Sequence, residues 1–137
     1  MRPSWIKATL DLGILSKGEK MAQEDCLFCK IIKGDIPSTI VYEDDRVLAF
    51  EDVNPMMPVH TLIVPKTHYD NIADGVSDED AVALIDAIGK VADIKGIRQS
   101  GFRTIINTND DACQSVHHVH IHILGGAQMN DGDPSMQ

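Results

Sequence analysis

The sequence predicts an α+β fold: a five-stranded antiparallel sheet with one long helix and a short N-terminal helix. Three observations lead there. The run Ser115–Gly126 alternates histidine with valine or isoleucine, the period of a β-strand, whose successive side chains point to opposite faces. Shorter apolar runs bounded by Pro, Gly, Asn and Asp precede it. One long stretch after Ser77 carries apolar residues at three- and four-residue spacings, the mark of a helix lying on a sheet.

The elements follow in chain order. Residues 1–20 carry four basic and two acidic residues ahead of an otherwise acidic chain, and Gly13 and Gly18 interrupt a loose helical spacing. They read as a mobile or weakly helical extension that a misplaced start explains as well as a function does, and residues 21–137 read as one domain. Cys26–Lys33 mixes apolar and basic residues like a short helix, ended by Gly34 and Pro37. Thr39–Tyr42 and Val47–Phe50 form a hairpin around a polar turn, and Val59–Pro65 is a third strand after a proline-bounded loop, with His60, Leu62 and Val64 on one face. Ser77 caps the long helix, and Asp78, Glu79 and Asp80 complement its positive end. Its stripe of Val82, Leu84, Ile85, Ile88, Val91, Ala92 and Ile94 is expected to face the sheet. Phe102–Asn107 is the fourth strand, and the histidine run is the fifth.

Composition narrows the function. At 137 residues and 43% apolar composition the chain makes one domain with a real core. A net charge of −9 and few aromatics argue against a nucleic-acid partner, although local amides and imidazoles can still hold one nucleotide. No apolar run reaches the ~18 residues of a membrane span. Three cysteines, two of them as Cys26-x-x-Cys29, suit a reducing cytoplasm better than a secreted disulfide framework. Strand alternation puts His118, His120 and His122 on one face, able to line an anionic group or divide between a substrate and a metal, whereas His117 has the parity of the apolar face.

These residues resemble the histidine triad family, closest to its Hint-like branch with an N-terminal Cys-x-x-Cys. The resemblance rests on His118-Val119-His120-Ile121-His122-Ile123-Leu124, Ile31–Pro37, Leu48–Asp52, Pro58–Lys66 and Gln114–Val116, in order, over about Glu24 to Met129. It implies a homodimer that binds purine nucleotides and hydrolyses phosphoramidates or adenylates at the α-phosphate. Carried over residue by residue, it makes His120 the nucleophile that forms a nucleotidyl-histidine intermediate. His122 and Ser115 would contact the phosphate, with His60 completing the cluster. Phe28, Ile31, Ile36, Phe50 and Val53 would line the base, Asp52 would bind the ribose, and Asn107 and Gln114 would contact the nucleotide. Imidazole suits the nucleophile's task because much of it is neutral near pH 7. Cys113 stands where close relatives carry glycine, and a side chain there would narrow the phosphate end or demand a different backbone angle; the C-terminal stretch lacks the Trp-containing tail of the animal enzymes, which bears on leaving-group preference.

The Cys26-x-x-Cys29 pair is half of a tetrahedral zinc site or a pair of unliganded buried thiols. By resemblance, His68 and His118 supply the other ligands of a structural zinc. Two further readings stand beside the phosphoramidase. One is a dinucleoside polyphosphate hydrolase or nucleotidyl transferase of the same superfamily, and the other is a nucleotide-binding regulatory module.

Overall fold

Leu27–Lys33 forms helix α1 because Cys26 caps it, its sulfur accepting the Cys29 amide, and Gly34 ends it in the left-handed conformation, φ 86°. The structure, a computed structural model, describes residues 25–131; the expected extension at residues 1–20 lies outside the described residues. Strands β1 (Ile40–Glu43), β2 (Val47–Glu51) and β3 (Val59–Pro65) lead to helix α2 (Asp78–Ile94). Strand β4 (Phe102–Ile105), a 3-10 turn (Asp110–Ala112) and β5 (Ile121–Gly125) complete the described chain.

All strand pairs are antiparallel, in the order β1-β2-β3-β5-β4. The α+β expectation of five strands, one long helix and a short N-terminal helix is therefore met. Alternation along the strands divides the sheet into two faces. Val47, Ala49, Ile63, Ile121 and Ile123 pack against Leu84, Ala87, Val91 and Ala92 of α2. Leu48, Phe50, Leu62 and Val64 point the other way, against Cys26, Phe28 and Cys29 around α1. Each fully buried aliphatic side chain of this kind stabilises the fold by about 1.5–3 kcal/mol.

The long helix starts where expected, with the Ser77 hydroxyl accepting the Asp80 amide at 3.1 Å. Its apolar stripe is narrower than expected. Leu84, Val91 and Ala92 face the sheet, joined by Ala87, while Val82, Ile85 and Ile94 are 60%, 65% and 55% exposed. At 3.6 residues per turn the buried set Leu84, Ala87, Val91 and Ala92 already spans the contact face, so Val82 falls nearly opposite it.

The histidine strand is shorter than its alternation suggested. Only Ile121–Gly125 joins the ladder, so His122 is in the strand while His118 and His120 precede it. The cause lies on β3. The register that pairs Ile63 with Ile121 would next bring Pro65 opposite Val119, but proline has no N–H to give. The Val119 amide instead donates to the Tyr69 carbonyl at 2.8 Å. Nor is one face solvated: His118 through Gly125 are all buried.

Candidate active site and adjoining metal centre

Four imidazoles gather on the α1 face of the sheet, and the group each ring meets fixes its tautomer. A carbonyl can only accept and a backbone amide can only donate. His120 Nδ1 lies 2.8 Å from the His118 carbonyl oxygen, so Nδ1 carries the proton and Nε2 keeps a free lone pair. The Met56 amide donates to His60 Nδ1 at 3.0 Å, which puts the His60 proton on Nε2. That nitrogen donates to His122 Nδ1 at 2.9 Å, so His122 offers an Nε2–H outward. The cluster thus presents one bare nitrogen, on His120, and one N–H donor, on His122.

Burial keeps these rings neutral. It lowers the His120 pKa, opposed by the bond to the His118 carbonyl and by the Asp52 charge. His122 is pushed down to about 4 by burial, reinforced by the charges of His120 and His60. His60 is lowered too, mainly by burial. Phe28 stands edge-on to His120, ring centroids 5.0 Å apart, and packs on Phe50 at 5.4 Å. Ile31 and Ile36 are half-buried nearby in the chain, whereas Val53 is 88% exposed.

Asp52 sits beside the cluster, its Oδ2 3.4 Å from His60 Nε2, while its Oδ1 accepts the Asn54 amide at 2.8 Å and closes the turn. Asp52, His60 and His122 bring three ligand-type atoms within 4.8 Å of one another. Their hydrogen bonds make them a proton-ordered chain, because the Met56 amide occupies His60 Nδ1 and leaves Nε2 protonated.

Cys26, Cys29, His68 and His118 form a second group whose ligand atoms also lie within 4.8 Å of one another. His118 donates through Nε2 to the Pro65 carbonyl at 2.9 Å, and His68 through Nε2 to the Asp70 carboxylate at 2.8 Å. Both Nδ1 atoms are therefore bare, and they face the sulfurs at 3.4, 3.4 and 3.5 Å. Zinc at its usual Zn–S and Zn–N lengths sets tetrahedral S···N edges of about 3.5 Å, so the set fits. Histidines whose second nitrogen is held by a carbonyl or carboxylate are the usual zinc ligands. Burial, with the neighbouring Cys26, pushes the Cys29 thiol up to about 12. A bound divalent cation would supply the charge that makes these thiols thiolates.

The remaining candidates sit in the lead-in to this site. Ser115 is exposed and Asn107 half-buried. Gln114 is buried, its side-chain amide donating to the Asp70 and Val116 carbonyls and accepting the Asn109 amide. Cys113 takes the left-handed angle, φ 61°, that a glycine adopts freely, and its side chain is exposed rather than inserted at the phosphate end. His117 is exposed. The sequence reading missed Asp70, although His-x-Asp is a spacing that lets a carboxylate orient a ligand. It also missed the backbone groups of Met56 and Pro65, for which no residue-type signal exists.

Comparison with known proteins agrees with this arrangement. The HIT domain family matches residues 33–129. A purine nucleoside phosphoramidase of Escherichia coli (strain K12) is 45% identical over 106 residues, covering 75% of this chain and 88% of its own. A 14 kDa zinc-binding protein of Zea mays is 43% identical over 107 residues, covering 76% and 84%. Among solved structures, a histidine triad protein from Clostridium difficile superposes with a TM-score of 0.73 at 50% identity, covering 78% of this chain and 95% of that one. With its three alternating histidines, its Cys-x-x-Cys pair and a domain match over most of its length, the chain belongs to the HIT, or histidine triad, family.

Proposed function

We propose that the protein is a hydrolase of purine nucleoside phosphoramidates and related adenylates, working through a nucleotidyl-histidine intermediate. The observation that carries this reading is the His120 tautomer. Its Nδ1–H is committed to the His118 carbonyl, so its lone pair sits on Nε2, and burial favours the neutral ring. In the first step Nε2 attacks the α-phosphorus, a bond from phosphorus to that nitrogen forms, and the bond to the leaving amine breaks as the amine takes a proton from solvent, which the water of the second step gives back. The His122 Nε2–H, ordered through His60 and the Met56 amide, donates to the phosphoryl oxygens as charge builds there. Water then cleaves the histidine–phosphorus bond, restoring the free imidazole and releasing the nucleoside monophosphate.

Ser115 would meet the phosphate and leaving nitrogen, and Asn107 the nucleotide near the phosphate. Phe28, Phe50, Ile31 and Ile36 would wall the base, with Val53 at its rim, and Asp52 would accept from the ribose. The Escherichia coli relative named as a purine nucleoside phosphoramidase supports the substrate class. The reading includes a zinc held by Cys26, Cys29, His68 and His118, supported by the zinc-binding name of the maize relative and by the donor set. It also includes a homodimer and a reducing cytoplasm, the compartment in which a Cys-x-x-Cys pair is kept reduced for a metal. No described helix is long and apolar enough to cross a membrane.

Steady-state rates across adenosine and guanosine phosphoramidates, adenylates and dinucleoside polyphosphates test the substrate class. Phosphoramidates should give the highest kcat/KM, and a clear preference for dinucleoside polyphosphates would transfer the protein to the alternative hydrolase reading. His120→Ala should lose at least ~10³-fold in turnover while nucleotide affinity stays within a few-fold, because that side chain acts mainly in the transition state. Near-normal turnover in this variant would refute covalent catalysis.

A further inference from the structure

The loop between β4 and β5 that presents Ser115 is held by a side chain whose two amide protons are both spent on backbone carbonyls. Gln114 is 6% exposed. Its two amide protons go to the Asp70 carbonyl at 2.7 Å and the Val116 carbonyl at 3.0 Å, and its oxygen accepts the Asn109 amide at 2.8 Å. Two carbonyls on one side and an N–H on the other leave only one orientation of the amide. The side chain thereby bridges the start of the loop, Asn109, to its end, Val116. Within this loop, Asn109 and Cys113 are the two non-glycine residues with positive φ among those described, φ 64° and 61°. Such angles persist only where surrounding bonds impose them.

Asp70 joins this loop to the cysteine–histidine cluster. Its carbonyl receives the Gln114 amide, and its carboxylate receives the Nε2–H of His68, whose Nδ1 faces the Cys29 sulfur at 3.4 Å. From cluster to loop the path is therefore continuous: Cys29, His68, Asp70, Gln114, then the backbone on both sides of Ser115. We propose that Gln114 is a positioning residue for the phosphate-binding loop, and that Asp70 links it to the metal centre, so that the state of the centre sets how Ser115 is presented. It adds a positioning role to the nucleotide contact expected of Gln114 and rests on the proposed phosphate role of Ser115.

The test uses the full chain without substrate turnover, so a failure of the phosphoramidase reading leaves it decisive. Amide hydrogen exchange in the ligand-free protein is compared among the wild type, Gln114→Ala, Gln114→Glu, Asp70→Ala and Asp70→Asn. Affinities for a purine nucleoside 5′-monophosphate and for the bare nucleoside are measured alongside, together with zinc affinity by competition. Gln114→Ala should speed exchange of the Asn109 amide and weaken monophosphate binding about 10–100-fold, the scale of losing one hydrogen bond to a charged group, with nucleoside binding unchanged. Gln114→Glu keeps the acceptor and should keep Asn109 protected while still weakening the monophosphate. It also decides the matter should the alanine variant not fold. Asp70→Ala should weaken zinc about 10–100-fold and speed exchange in the same loop, and Asp70→Asn, which still accepts from His68, should restore both. A Gln114→Ala variant with wild-type loop exchange overturns the positioning role. An Asp70→Ala variant with weakened zinc and an unaltered loop overturns the link.

Discussion

His118 and His120 are the same residue type two positions apart, yet the oxygen each ring meets leaves opposite nitrogens free. His118 spends Nε2 on the Pro65 carbonyl and turns Nδ1 to the sulfurs, whereas His120 spends Nδ1 on the His118 carbonyl and keeps Nε2 for phosphorus. The histidine motif makes both residues visible in the sequence, but their division of labour depends on carbonyls whose positions only the folded chain supplies. The other two rings of the cluster, His60 and His122, make stability depend on pH. His122 is held near 4 and His60 below its usual range, chiefly by burial, while both return to about 6.5 in the unfolded chain. A depressed native pKa means that the unfolded state takes protons first, so stability is intact above about 6.5 and is lost as the pH falls through about 4. Denaturation midpoints measured from pH 7.5 to 4 should fall, and His122→Asn should flatten part of that slope. Equal slopes in the two proteins would remove His122 from the account.

At the scale of elements, local chemistry was legible and pairing was not. Ser77 and its three acids marked the start of α2 to the residue, and Gly34 marked the end of α1, because caps are short-range events, whereas the Cys26 sulfur as N-cap of α1 was not read. The start of β5 depended on a missing N–H at Pro65, far back in the chain, and alternation in the histidine run carried no sign of it. Likewise Val82, Ile85 and Ile94 had the composition of a buried stripe but lie beyond the face that α2 turns to the sheet. Replacing Ser77 with alanine should cost about 1 kcal/mol through the lost cap, read from urea unfolding. Removing metal should loosen α1. Chelation, or Cys26→Ser, should lower the melting temperature, since an ion bound only to the folded state stabilises it by linkage, and should weaken monophosphate binding without abolishing it. His120→Ala, in contrast, should retain the metal. Metal analysis of protein purified without chelators that found no zinc would return the pair to ordinary buried thiols.

At the scale of the molecule, β4 pairs with β5 alone among the described residues, and Val82 and Ile85 stand exposed on α2. An open strand edge and an uncovered apolar stripe invite a second copy across the helix and a neighbouring strand. The proposed homodimer should sediment as such at micromolar concentration, and Ile85→Glu should shift it toward monomer; a wild-type protein that sediments only as monomer would remove this part of the proposal.

The sheet also separates two kinds of work by a single step along the chain. On β3, Ile63 faces the helix α2 core, while its neighbours His60, Leu62 and Val64 face the histidines and α1. Tolerance to substitution along this strand should therefore beat with a two-residue rhythm in which the type of damage alternates. Trimming Ile63 depresses thermal resistance and leaves turnover per folded molecule alone, whereas trimming Leu62 alters turnover as well. Selection for heat resistance and selection for a new leaving group would then draw on different, interleaved sets of positions, and the two properties could drift apart without competing for the same residues.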